Sequence, residues 1–253
     1  MKLTIRGYAP IVIPGELLKP MKGFESKTSY ISKIASRWKS HSYLTNKLPS
    51  KLICLETVRD WARELGGYKS YADRLAGVGM SARIFGDGRR AALNDLDAGC
   101  AEVLQLNCPN ALVTSYDLFS VKKPAPADLI FLDFNDYTAK RGMTTYREIV
   151  ERTAQFTRKF LVLNDCTPFY FRYGSKSFAT YSQFLNRKIV VVEDYFDAMR
   201  DFYRPLDLTL VGAAYFRDSS FLLLSKHPSP LILRKVTAPP VGMVTVSDGA
   251  TLF

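Results

Sequence analysis

Residues 72 to 86, ADRLAGVGMSARIFG, combine the residue types that a nucleotide-binding loop requires. The carboxylate of Asp73 precedes two glycines, Gly77 and Gly79, and a helix-compatible run follows them. Because glycine has no side chain, the backbone at such positions can approach a ligand closely. The stretch predicts a nucleotide site but does not by itself say which nucleotide binds there.

Acidic and amide residues recur where five successive strand-like segments end. They are Asp73, the run Asn94-Asp95-Leu96-Asp97, Asp117, the run DFNDYT at 133 to 138, and Asn164-Asp165. Any one of them could simply cap a helix or start a turn. Ligands of open α/β sheets bind at the carboxyl ends of the strands, so the whole series indicates a ligand site at that edge.

A dinucleotide enzyme is one interpretation of this series. Gly77-x-Gly79-x-x-Ala82 matches the pattern G-x-G-x-x-G/A, and Asp95 follows Gly77 by 18 residues, near the expected ribose carboxylate. Against it, the segment KSYADRL before the glycines is short and polar, and the acidic residues that follow would repel phosphates. An NAD(P)-dependent oxidoreductase therefore remains an alternative.

Four motifs in order, DRLAGVG, LNDLD, SYDLF and LIFLDFND, followed by a C-terminal hairpin, resemble the class I S-adenosylmethionine-dependent methyltransferases. The resemblance covers residues 52 to 226. The family pattern Asp-x-Gly-x-Gly-x-Gly stands here as Asp73-x-Leu75-x-Gly77-x-Gly79. The resemblance implies S-adenosylmethionine as the cofactor, and this cation without phosphates suits a close glycine backbone and carboxylates.

The resemblance also implies roles for the acidic strand ends. Asp73 would lie near the methionine amino group, Asp95 would bind the ribose, and Asp117 would meet the adenine amine. Asp97 competes for the ribose role, but Asp95 falls directly at the end of its strand.

The run DFNDYT occupies, by resemblance, the place of the Asp/Asn-Pro-Pro-Tyr/Phe motif of amino-directed nucleic-acid methyltransferases. In that motif a polar group orients the acceptor amine and an aromatic ring stacks on the base. Here Phe134 and Asn135 replace the prolines, and Tyr137 stands one residue late. The run predicts catalytic roles for Asp133, Asn135 and Tyr137, with a loop start as the alternative.

Positive charge is concentrated in two segments. Residues 1 to 51 contain ten Lys or Arg against two acids and so carry +8 of the net +11, and residues 166 to 188 contain seven aromatics, four cations and no acid. Cations attract polyanions, and interleaved rings stack on bases, although a solvated basic face is the alternative. We therefore expect a nucleic-acid partner, contacted by Lys33, Arg37, Lys39, Tyr170, Arg172, Tyr173 and Lys176.

Composition narrows the class of protein. Hydrophobic residues at 47% and charged residues at 23% are ordinary for a globular chain. No apolar run approaches the ~20 residues of a membrane span, and Pro10 and Pro14 interrupt the start where a secretory signal needs an apolar centre. Four cysteines without a CxxC pair and two histidines predict no metal site and no Ser/His/Asp hydrolase. We expect a cytoplasmic protein with reduced thiols and no membrane partner.

Strand-like and helix-like segments alternate, which predicts a Rossmann-like, doubly wound, mostly parallel α/β sheet. TYREIVERTAQFTRK predicts a helix that a capping box of Thr145 and Glu148 begins, and LTLVGAAYFRDSSFLLLSK predicts a C-terminal antiparallel hairpin. This domain would span residues 52–226, between a basic extension (1–51) and an extended, Pro-containing tail (227–253). Either flank could contact a protein partner.

These observations together predict methyl transfer from S-adenosylmethionine to RNA or DNA. A catalytically inactive methyltransferase-like protein that binds nucleic acid or a partner is the second hypothesis, and the NAD(P)-dependent oxidoreductase is the third.

Overall fold

The computed structural model describes residues 1–18, 30–86, 88–117, 124–133, 137–165, 182–183, 185–216, 219–237 and 243–247, without the side chains of 46, 137–145 and 165. In this part of the chain no helix has the length and apolar character needed to cross a bilayer. The helices are α1 (Tyr30–Lys39), α2 (Leu48–Glu64), α3 (Met80–Phe85), α4 (Ala98–Asn107), α5 (Tyr137–Ala154) and α6 (Val192–Tyr203). The strands are β1 (Lys2–Ile5), β2 (Ile11–Val12), β3 (Ser70–Asp73), β4 (Arg90–Asn94), β5 (Leu112–Thr114), β6 (Ala127–Asp133), β7 (Thr157–Asp165), β8 (Thr209–Phe216), β9 (Ser219–Ser225), β10 (Ile232–Lys235) and β11 (Val244–Ser247).

The main sheet has the order β10-β8-β9-β7-β6-β3-β4-β5. β9 runs antiparallel to both of its neighbours, and the other described pairs are parallel. The predicted α/β sheet with an antiparallel C-terminal hairpin is thus confirmed. β6 reads ADLIFLD and is buried almost throughout, because helices cover both faces of a parallel sheet.

Both flanks of the predicted domain contribute strands. β1 pairs antiparallel with β2 and with β11, and β10 adds a parallel edge strand to β8. The side chain of Asn107 fastens β2 to α4: Val12 N–H donates to its Oδ1 and its Nδ2 donates to Val12 O, both at 2.8 Å. The domain bounds at 51 and 226 and the extended tail stay predictions; in the described part of the tail, β10 and β11 pair with other strands. Strands this short have no hydrophobic period that identifies their partner.

Helix α2 packs on one face of the sheet, and helix α1 packs on α4. The apolar residues of α1 at helical spacing, Ile31, Ala35 and Trp38, are buried. α2 packs on β8 and β9, where a Cβ at Gly212 would come within 2.6 Å of the Trp61 ring. A glycine at this position therefore lets the helix approach the sheet.

The capping box predicted at Thr145 and Glu148 is wrong. Helix α5 already begins at Tyr137, so Thr145 lies inside it. A Thr-x-x-Glu spacing caps a helix only where the Thr backbone is non-helical, and here the helix continues through Gly142 into Thr145.

Candidate functional site

The glycine loop between β3 and α3 is fastened to the end of β4 by Asp95. Gly77 N–H donates to Asp95 Oδ2 at 2.8 Å, and Asp97 N–H donates to Asp95 Oδ1 at 3.0 Å. The Asp95 side chain is mostly buried, and burial raises its pKa although both N–H donors lower it. The structure thus brings Asp95 and Gly77 together at the ends of β3 and β4.

The two glycines of the loop have different surroundings. Gly77 has φ +54°, and a Cβ added there would meet nothing within 4 Å. Gly79 has φ +89°, and a Cβ there would lie 3.0 Å from Leu104 Cδ2 of α4. Gly77 therefore borders open space, whereas Gly79 allows the loop to pack on α4.

Asp73 lies beneath this loop with no solvent exposure. Leu75 N–H donates to its Oδ1 at 3.0 Å, and the hydroxyls of Tyr71 (3.1 Å) and Ser81 donate to its Oδ2. Burial and, to a smaller extent, the nearby Asp133 raise the pKa of Asp73 to about 7, against the lowering effect of these donors. Asp73 therefore stabilises the loop through hydrogen bonds on its buried side. Its role near a methionine amino group stays a prediction.

Asn94 joins the ends of three strands. Its Nδ2 donates to Arg74 O (3.3 Å) and Tyr116 O (3.1 Å), while its Oδ1 accepts from Tyr116 N–H and the Thr114 hydroxyl, both at 3.1 Å. Asp117 follows Tyr116 and is partly buried. It therefore lies at the predicted edge of the sheet, and its contact with an adenine stays a prediction.

Asp97 is occupied as a helix cap, because its Oδ1 accepts from Cys100 N–H at 3.0 Å. The preference for Asp95 over Asp97 as the ribose ligand stays a prediction. Between the two acids, Leu96 is 61% exposed, an apolar surface that sequence reasoning missed. An exposed Leu beside a carboxylate provides a surface on which a planar base can pack.

A second polar cluster lies at the ends of β6 and β7. Lys51 Nζ of α2 lies 2.6 Å from Asp133 Oδ2, and Asn164 Nδ2 donates to Asp133 Oδ1 at 2.7 Å. Burial alone would lower the pKa of Lys51, but Asp133 raises it above its ordinary value. Lys51 is therefore a cation that, together with Asn164, fixes the position of the Asp133 carboxylate. Sequence reasoning missed Lys51, since nothing distinguishes it from the other cations of residues 1 to 51.

Tyr30, the first residue of α1, lies near both Asp95 beside the glycine loop and Asp133 in the second cluster. Burial of part of its side chain, and then the carboxylates of Asp133 and Asp95, raise its pKa. Helix α1 also packs on α4, where a Cβ at Gly99 would lie 2.9 Å from Ile31 Cδ1. The N-terminal helix therefore borders the edge that carries the candidate site, with Lys33, Arg37 and Lys39 exposed to solvent.

Several predicted site residues cannot be placed against this geometry. Tyr137 begins α5, but its side chain is not described. Asn135, Tyr170, Arg172, Tyr173 and Lys176 lie outside the described residues. Their predicted roles stay predictions.

The sequence matches no protein-family profile, and no curated protein matches it. The fold is similar to magnesium protoporphyrin IX methyltransferase from Synechocystis PCC 6803 with bound S-adenosylhomocysteine, at 11% identity over 78% of this chain and 94% of that one, with a TM-score of 0.54. It is similar to the plantazolicin methyltransferase BpumL in complex with a triazolic desmethylPZN analog and S-adenosylhomocysteine, at 11% identity over 78% and 91%, with a TM-score of 0.55. It is also similar to an O-methyltransferase family protein from Burkholderia thailandensis, at 14% identity over 85% of this chain and 67% of that one, with a TM-score of 0.50. At these identities the likeness establishes the fold alone.

Proposed function

We propose that this chain, which has the fold of the class I S-adenosylmethionine-dependent methyltransferases, transfers the methyl group of S-adenosylmethionine. The observation that carries the proposal is the pairing of Gly77 with Asp95. An open space beside a left-handed glycine stands next to a fixed carboxylate at the carboxyl ends of β3 and β4. A cation with ribose hydroxyls suits this pair, whereas a pyrophosphate would face the carboxylate.

The residues present fit that cofactor. The Asp95 carboxylate has about four lone-pair positions, of which the Gly77 and Asp97 amides use two, so it can still accept from ribose hydroxyls. Leu96 would pack against the adenine and Asp117 would accept from its amine. The cofactor supplies an electrophilic methyl group, and Asp133, fixed by Lys51 and Asn164, would orient the methyl acceptor.

Thermal shift with S-adenosylhomocysteine, NAD and NADP tests the cofactor. We expect S-adenosylhomocysteine alone to raise the melting temperature. Asp95→Ala should weaken its binding by about 10- to 100-fold, because this variant removes charge-assisted hydrogen bonds. Asp128→Ala is the matched control, because Asp128 also accepts two backbone N–H groups, from Lys69 and Ser70, but at the opposite edge of the sheet.

The other outcomes decide between the alternatives. Stabilisation by NAD or NADP alone would indicate an oxidoreductase. No stabilisation by any of the three compounds would favour a protein that binds nucleic acid or a partner without catalysis.

For the acceptor we propose a nucleic acid, supported by the exposed Lys33, Arg37 and Lys39 of α1 next to the candidate site. Replacing these three by Ser should weaken RNA or DNA binding and flatten its salt dependence, by about 0.9 in slope for each phosphate that the protein no longer neutralises. Replacing the exposed Lys69, Arg90 and Arg158, near the starts of β3, β4 and β7, makes the same change of charge at the opposite edge. Equal effects of the two triple variants, or none, would contradict this acceptor and favour a small molecule.

A further inference from the structure

Asn164 has a buried oxygen without a hydrogen-bond partner. The residue has no solvent exposure, its Nδ2 donates to Asp133, and its Oδ1 has no partner among the described residues. A buried polar group left unpaired costs about 1–3 kcal/mol, and in native proteins such groups call for an explanation. Within the described part of the chain, the neighbours of Asn164 in the sheet, Asp133 and Phe221, provide no donor for this oxygen.

The position of Asn164 connects it to the proposed methyl-transfer site. β7 neighbours β6, which neighbours β3, so Asn164, Asp133 and Asp73 lie at the same edge of three adjacent strands. Asp133 interacts electrostatically with Asp73 beneath the glycine loop. The unpaired oxygen therefore lies one strand beyond the carboxylate that the proposed function assigns to the methyl acceptor.

The charges around Asn164 determine which chemical group can bind beside its unpaired oxygen. Lys51 offsets the charge of Asp133 at 2.6 Å, and its ammonium also lies 5.9 Å from the centre of the Phe221 ring. The cluster is thus close to neutral, and its unpaired atom is a hydrogen-bond acceptor. An anionic oxygen placed there would face the carbonyl of Asn164 and the carboxylate of Asp133, whereas an N–H or O–H group would satisfy the orphaned oxygen.

We propose that Asn164 Oδ1 binds the methyl acceptor and selects one that donates a hydrogen bond, an amine or a hydroxyl, over a carboxylate or phosphate oxygen. This inference rests on the proposed function. In the transfer, the acceptor nitrogen or oxygen forms a bond to the methyl carbon as the carbon–sulfur bond breaks. The electron pair of that bond stays on sulfur, and the acceptor's proton passes to water.

The test needs no knowledge of the natural acceptor. Sinefungin is an analogue of S-adenosylmethionine with an amine-bearing carbon in place of the methylated sulfur, so its N–H groups project toward the acceptor position. Calorimetry should show that the wild type binds sinefungin at least about 10-fold more tightly than S-adenosylhomocysteine, because a charged donor meets an unpaired acceptor. In Asn164→Leu this ratio should fall to within about threefold of one, while the affinity for S-adenosylhomocysteine changes little.

Asn164→Ser provides a second variant, because it keeps a small polar side chain but removes the amide oxygen; it should also lose the preference for sinefungin. Lys226→Met, which removes a remote ion pair with Asp207, should keep it. A wild-type ratio near one, or a preference retained in both Asn164 variants, would overturn this inference and leave the proposed function intact. A wild type that binds neither compound would overturn both.

Discussion

The two halves of the candidate site are built differently. In the half that the glycine loop forms, Asp73, Asn94 and Asp95 each accept or donate several hydrogen bonds within the protein. In the other half, Asn164 keeps an oxygen without a partner among the described residues. A site for one fixed cofactor can be pre-organised throughout, whereas an acceptor site must leave a group for the incoming molecule to satisfy.

The largest effect expected in the first half concerns Asp73. Its pKa of about 7 in the folded state lies above the ordinary value of 3.8, so the folded chain holds more protons than the unfolded chain between these pH values. Stability should therefore fall as the pH rises from about 4 to 7 and then level off. Asp73→Asn should remove about 4 kcal/mol of this dependence, as measured by urea unfolding across pH.

Asp194→Asn is the control for that experiment. The backbone N–H groups of Val190 and Val191 lower the pKa of Asp194, so its stabilisation is present at neutral pH and is lost as the pH falls. Asp194→Asn should change the pH dependence of stability in the opposite direction from Asp73→Asn. The change should be smaller, because the Asp194 carboxylate is exposed. A wild-type profile that rises between pH 4 and 7, with no contribution from Asp73, would contradict the prediction.

A smaller effect should separate the two glycines of the loop. Gly77→Ala and Gly79→Ala both place a side chain at positive φ, at a cost of about 1–2 kcal/mol. Gly77→Ala should also weaken S-adenosylhomocysteine binding by about 10-fold, because its Cβ enters the open space. Gly79→Ala should lose more stability through its contact with Leu104 and change affinity less. Calorimetry and urea unfolding measure both quantities, and the reverse order would be inconsistent with the proposed cofactor position.

The smallest effect is expected from Lys51 in the second half. Lys51→Met removes the cation from a partly exposed ion pair, so stability should fall by about 1 kcal/mol. The affinity for S-adenosylhomocysteine should stay within about threefold, since Lys51 contacts Asp133 and not the glycine loop. Lys51→Arg should restore most of the stability. A large loss of affinity in Lys51→Met would show that the two halves are not separable.

Local patterns predicted much of the fold. Helix α4 has both of its boundary signals in the sequence, because Asp97 caps it and Pro109 follows its end. The start of α5 was missed, since the Thr145-x-x-Glu148 spacing occurs inside a helix as readily as at its beginning. The partners of β1, β10 and β11 were also missed, because sheet pairing joins segments that are distant in sequence.

The sequence by itself determined the glycine loop and its carboxylate. Asp73, Gly77, Gly79 and Asp95 lie within one strand-helix-strand unit, where spacing along the chain largely fixes spacing in space. Only the tertiary structure decided the second half of the site. Lys51 reaches Asp133 across 82 residues and Asn164 reaches it across 31, and such contacts depend on how α2 packs on the sheet and on the order of the strands. The unpaired oxygen of Asn164 is likewise a feature that only the tertiary structure reveals, because whether a polar atom has a hydrogen-bond partner depends on all the neighbours that folding brings to it.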